Sequence, residues 1–243
     1  MTLPYYVPPE QLIKDRADFA RKGIARGRSI VALEYVDGIL LMGGNPSSAL
    51  HKLSEIYDRI AFAGVGRYNE FETLRVAGIR YADLKGYSYN RTDVSAKGLA
   101  NAYSQTVGQI FTHEVKPYEV EVLVAEVGDV PEDDRMYHVR FDGTLHDAHR
   151  FAALGGHDER LAERLAEGWR PGLDLAEAIR LAAVSIEAVE ETEIPPEGWE
   201  AAVLDRTLGR RKFRRLRPDE IAAARAAGPG PDGPTASDEA EDG

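Results

Sequence analysis

Residues 29–66 read SIVALEYVDGILLMGGNPSSALHKLSEIYDRIAFAGVG, and this stretch decides the architecture. Two apolar runs, IVALEYV and ILLMGG, flank the dipeptide Asp37-Gly38, a strong signal for a tight β-hairpin. A second pair, HKLSEIYD and RIAFAGVG, turns near Asp58. These strands are apolar at nearly every position, so both faces of the sheet they build need cover.

Working outward, two helical patterns follow. Phe71, Leu74, Gly78, Tyr81 and Leu84 recur at helical spacing, and so do Leu99, Tyr103, Val107 and Ile110, a second helix opened by Thr92 or Asp93. EVEVLVAEV then alternates Val120, Val122 and Val124 with Glu119 and Glu121. MYHVRF, Asp142-Gly143 and TLHDAHRF read as another hairpin. Helices are expected over about 157–168, carrying Leu161 and Leu165, and about 173–190, carrying Leu175, Ile179, Ala183 and Ile186 behind Asp174. A last strand pair, about 200–205 and 210–216, leads into a short helix from Pro218. Ahead of all this, Pro8 can open a helix from Glu10 to about Arg26 with a thin apolar stripe of Leu12, Ile13, Phe19 and Ile24, suited to a partner or a shallow groove. The order is strands, two helices, strands, two helices, strands. Two antiparallel sheets face to face, each with helices on its outer side, satisfy every element: an α+β, four-layer α-β-β-α sandwich in one domain over 10–227. Residues 1–9 precede it, and the Gly-, Pro- and acid-rich 228–243 reads as a disordered acidic tail.

Composition excludes several chemistries. The 243 residues contain no cysteine, which removes disulfides, thiolate metal sites and a cysteine nucleophile. Thirty basic against 41 acidic residues give a formal charge of −11, which disfavours nucleic acid as a partner. No apolar run approaches a membrane span, and MTLPYYVPP at residues 1–9 lacks a signal pattern, so a cytoplasmic protein without cofactors is expected.

Candidate motifs are few. Gly43-Gly44-Asn45 and Gly64-Val65-Gly66 match neither phosphate-loop nor dinucleotide fingerprints, although the second run precedes a helix start, where backbone N–H groups attract anions. His146 and His149, three apart on one expected strand, would lie on opposite faces, a poor metal site. Glu190-Glu191 and Asp133-Asp134 read as solvated helix ends and loops. Arg210, Arg211, Lys212, Arg214, Arg215 and Arg217 form a basic cluster, read as an exposed strand that resists edge pairing or pairs with acidic neighbours; RNA binding is the competing reading.

FARKGIARGRSIVALEY, DGILLMGGNPS, LHKLSEIYDRIAFAGVGRYNEFE and KPYEVEVLVAEVG together resemble the α-type subunit of the actinobacterial proteasome core particle, over residues 1 to about 227. The resemblance implies the N-terminal nucleophile hydrolase fold, which agrees with the sandwich argued above. It also implies a seven-membered ring of copies of this chain stacked on β-type subunits, with unfolded polypeptide as substrate and a ring-shaped ATPase as activator. β-type subunits attack with an N-terminal threonine whose own amine assists. By resemblance Arg28 stands in that threonine's place and Asn45 in that of its partner acid, while the lysine is kept as Lys52. A guanidinium is no nucleophile, so no catalytic residue is expected. The alternative, an active amidohydrolase using Ser29, would require cleavage after Arg28, and nothing upstream has the form of a propeptide. The resemblance gives Lys52 and Gly66 another role, binding an activator's C-terminal carboxylate through an ammonium and a backbone N–H beside a helix start. It casts Leu3, Pro4, Tyr5, Tyr6 and Val7 as a gate over the axial pore.

Overall fold

The computed structural model describes residues 8–47 and 49–227. The expected gate Leu3 to Val7 and the acidic tail 228–243 lie outside the described residues.

Period-two patterning builds the centre. β1 (Ile30–Tyr35) and β2 (Gly38–Gly44) pair through the Asp37-Gly38 turn, and β3 (Leu53–Tyr57) pairs with β4 (Ile60–Gly66). Along β1, Ile30 and Ala32 face one core while Val31 and Leu33 face another. One antiparallel sheet runs β10-β9-β2-β1-β8, the other β3-β4-β5-β6-β7. The remaining strands of the two sheets are β5 (Val120–Glu126), β6 (Arg135–Val139), β7 (Leu145–Ala148), β8 (Phe151–Leu154), β9 (Trp199–Asp205) and β10 (Phe213–Arg215). The central core joins Ile30, Ala32, Ile39 and Leu41 to Leu53, Ala61, Val65 and Leu123 between the sheets. The helix α1 (Pro9–Ile24) reaches this layer with Ala20 and Ile24.

The outer layers follow from helical periodicity. α2 (Tyr68–Ser88) and α3 (Ala96–His113) set Phe71, Leu74, Leu99, Tyr103 and Val107 on Phe62, Val122 and Val124. On the other side α4 (Asp158–Gly168), α5 (Leu175–Glu190) and α6 (Pro218–Ala226) set Leu161, Leu165, Ile179, Ala183, Ile186 and Ile221 on Val31, Leu33, Leu40 and Val203. The α-β-β-α sandwich expected from the sequence is therefore the observed fold. No helix among the described residues is long and apolar enough to cross a membrane.

Three local expectations are corrected. TLHDAHRF is not one strand: Arg150 adopts φ 72°, and the chain leaves β7 in one sheet to enter β8 in the other. Glu34 holds that break, its carboxylate accepting from Arg150 N at 2.9 Å and its own N–H donating to Arg150 O at 2.8 Å. α3 is capped by Ser95 Oγ, which accepts from Gly98 N, while Thr92 and Asp93 belong to a separate short 3₁₀ turn capped by Asn90. Leu84 does not face the sheet as the spacing expected: it is 69% exposed on the outer side of α2, while Gly86 lies against Tyr57 of β3.

α2 and α3 approach closely at Gly78, where any side chain would collide with the Tyr103 hydroxyl. That hydroxyl is buried without a hydrogen-bond partner. Gly78→Ala should lower unfolding stability by about 1–3 kcal/mol through overpacking, despite alanine's better helix propensity. Tyr103→Phe should be tolerated and should rescue Gly78→Ala; denaturant unfolding of the double-mutant cycle measures the coupling. Purely additive effects would refute the contact.

Candidate functional site

The site lies where the start of β1, the end of β2 and the start of β3 meet. Glu200 organises it. On β9 it shares the parity of Ala202 and Leu204, so it points between the sheets, towards the edge strand β3. Its carboxylate accepts from Lys52 N at 2.9 Å, Leu53 N at 3.2 Å, Asn45 Nδ2 at 2.7 Å and Arg215 Nη1 at 2.8 Å. His51 Nδ1 stands 3.3 Å away. Asn45 Nδ2 also donates to Leu50 O at 2.7 Å, which folds the β2–β3 connection against β9. One buried carboxylate thereby sets where Lys52 begins β3.

Lys52 turns its ammonium inward, donating to Arg28 O and Gly44 O, both at 3.2 Å. Burial pushes its pKa down from the ordinary lysine value to about 8, against the opposing pull of Glu200 and Glu190; the Arg28 charge lowers it further. The amine is therefore largely protonated at neutral pH and loses its charge as pH rises through about 8.

Arg28 is anchored by the last residue of α5. Glu190 accepts from Arg28 Nη1 at 2.9 Å and from Ser29 N at 2.8 Å. The stem of Arg28 crosses Gly44 so closely that a methyl group there would lie 2.8 Å from Cδ. Ser29 is 1% exposed, and its backbone nitrogen is held by Glu190 within a continuous chain. Gly66 closes β4 with φ 108°, where a side chain would strike Glu119 O. The next residue, Arg67, donates its N–H to Glu119 O at 2.9 Å and begins α2 without a side-chain cap. Gly27 lies against the Gly66 amide: a methyl group on it would sit 3.2 Å from that nitrogen. Arg28, Asn45 and Lys52, matched by resemblance to a catalytic triad, do come together; Gly66 reaches them through Gly27.

Other candidates fall differently. His146 sits on β7 opposite His138, and His149 lies beyond the strand; no metal-holding cluster of three or more His, Asp or Glu occurs among the described residues. Most of the basic cluster is paired with acids: Arg210 with Asp58, Arg211 with Glu55, Arg214 with Glu220, Arg215 with Glu200 and Arg217 with Asp219. Of the acidic pairs read as solvated, Glu191 and Asp133 are exposed, and the reading is corrected for their neighbours. Glu190 is the anchor just described, and Asp134, its side chain 1% exposed, takes the Arg206 guanidinium at 2.8 and 3.1 Å. Glu190 and Glu200 were the residues missed. Glu200 carried a readable signal, a carboxylate on an inward position of the apolar strand WEAAVLD.

Comparison with known proteins gives the family of the fold. The family described as "Proteasome subunit" matches residues 24–204. "Proteasome subunit alpha" of Xylanimonas cellulosilytica is 59% identical over 237 residues, 93% of this chain and 97% of that one. The same-named protein of Kineococcus radiotolerans is 59% identical over 224 residues, covering 89% and 94%. That of Thermomonospora curvata is 55% identical over 229 residues, covering 94% and 100%. The chain belongs to the proteasome subunit family, and within it sides with the α-type subunits of actinobacteria.

Removing the Glu200 carboxylate leaves Arg215 Nη1 and two backbone N–H groups without their acceptor. Glu200→Ala should cost on the order of 3 kcal/mol. Glu200→Gln, which keeps one acceptor oxygen, should cost less. Thermal unfolding of both variants checks this, and equal losses would contradict the hub.

Proposed function

We propose that this chain is a non-catalytic ring subunit of a cytoplasmic proteasome. Copies of it form a ring that stacks on β-type subunits, governs admission of unfolded polypeptide and docks a ring-shaped ATPase. The observation that carries the non-catalytic reading is the filled site at β1. Where a nucleophile and a free amine are needed, there is Arg28, tied to Glu190, joined by a peptide bond to a buried Ser29. Lys52, which could have supported a nucleophile, donates instead to two main-chain carbonyls. Docking is supported by a protonated amine and the half-buried Gly66 amide on either side of Gly27-Arg28, an arrangement suited to a peptide carboxylate. The exposed Leu12, Ile13 and Phe19 of α1 suit contact with a neighbouring copy in the ring. The segment Leu3 to Val7, directly before α1, is proposed as the gate.

Lys52→Ala should abolish ATPase-stimulated protein breakdown and leave ring assembly, followed by particle imaging, intact. Docking through this amine should also weaken as pH rises through about 8, because the charged form binds. Stimulation that is unchanged by the substitution would refute the docking role. Deleting Thr2 to Val7 should raise basal hydrolysis of short peptides by the assembled particle; an unaltered basal rate would remove the gate.

A further inference from the structure

At the end of the sandwich away from Lys52, the β3–β4 turn, the 3₁₀ turn after α2 and the β9–β10 connection enclose a cavity of about 760 Å³. Its charges do not balance. Arg59, Arg91, Arg210 and Lys212 line it, with the carboxylates of Asp58, Asp129 and Glu126. Asp58 serves two cations: it accepts from Arg91 at 2.6 and 2.9 Å, while Arg210 comes only to 3.7 Å. Arg91 is held further by the Tyr57 ring, whose centroid lies 4.6 Å from the guanidinium. Arg59 takes Asp129, whose side chain is 80% exposed. Burial pushes the Glu126 carboxyl above its usual range, and one of its oxygens is spent on Ala96 N at 2.7 Å. Lys212 pairs with no carboxylate among the described residues; its ammonium donates to Arg206 O and Leu208 O. The cavity therefore carries surplus positive charge in a chain whose formal charge is −11.

The complementary anions are in the same chain. Residues 228–243, outside the described residues, include Asp232, Asp238, Glu239, Glu241 and Asp242 and no basic residue. They continue from Ala227, which lines an apolar cleft with Leu175 and Ala176. A run of contacts joins that cleft to the cavity: Leu173 O accepts from Val36 N, Asp37 O from Arg206 N, and Arg206 O from Lys212 Nζ. The intervening residues 228–237 span up to roughly 33 Å, against about 10 Å between stacked sheets. We propose that the acidic segment 238–242 of this chain occupies the cavity, its carboxylates taking the outer edge of Arg210 and the Lys212 ammonium. The segment is a ligand that the chain carries for its own basic turn, and it closes that turn to outside polyanions, nucleic acid among them.

The sequence has no cysteine, so Gly209→Cys with Ala240→Cys makes a unique thiol pair in the full chain, and a Cβ at Gly209 meets nothing within 4 Å. Oxidation with diamide, followed by intact mass and non-reducing electrophoresis, gives the rate of intrachain disulfide formation. A control that also carries Asp238→Asn, Glu239→Gln, Glu241→Gln and Asp242→Asn gives the rate of chance encounter. At about 0.1 M salt the acidic segment should close the disulfide about fivefold faster than the control. The difference should vanish at about 1 M salt, where the screening length falls to about 3 Å. Arg210→Gln, at a side chain 76% exposed, should remove much of it without disturbing the fold. Equal rates for the acidic and neutral segments, or a difference that salt and Arg210→Gln leave untouched, would overturn the docking. Disulfide-linked dimers in place of the intrachain bond would overturn it too, by giving the cavity the segment of a second copy.

Discussion

The carboxylate of Glu200 is the constraint from which the site follows. It sits between two sheets that meet largely through apolar side chains, and it collects donors from the β2–β3 connection, from β3 and from Arg215 at the end of β10. A charge buried there is tolerable only because its lone pairs are filled. Once it is in place, the edge of the second sheet cannot slide along the first. The backbone of Lys52 is then fixed within reach of β1 and β2, which contribute the carbonyls that orient its ammonium.

Around that anchor, Arg28, Asn45 and Lys52 are each held by neighbouring groups. The resemblance places an arginine where a nucleophile would stand and an asparagine where its acid would; the structure shows that asparagine spent on Glu200 and Leu50. The lysine remains but serves the backbone. Arg28 is tied to Glu190 and Lys52 to two main-chain carbonyls.

Much of this was legible in the sequence. The Asp37-Gly38 turn and continuous apolar runs named the hairpins of β1–β2 and β3–β4, and helical spacing named α2, α4 and α5, because these depend on residues close in the chain. What escaped depends on distant partners. The break at Arg150 is held by Glu34, 116 positions away, and no local signal marks a positive φ on an arginine. Glu190 looked like a solvated helix end because the strand start it anchors lies about 160 residues earlier in the chain. Lys52 itself was singled out through resemblance to a family. Its lowered pKa and its carbonyl partners come only from packing.

The crossover at Arg150 has a consequence for how the molecule assembles itself. Strands β3 to β7 form one uninterrupted meander, with α2 and α3 threaded through it, whereas the other sheet is stitched from segments on both sides of that meander. The second sheet with its helices is an insertion whose contacts are sequence-local, so its loop-closure entropy is small. The first sheet must wait for Phe151 to return beside Leu33, and for β9 to reach β2, before its central strands are flanked. A nascent chain therefore completes its inner half while β1 and β2 still expose an unpaired apolar hairpin. In that interval the polypeptide is most open to pairing with the wrong partner.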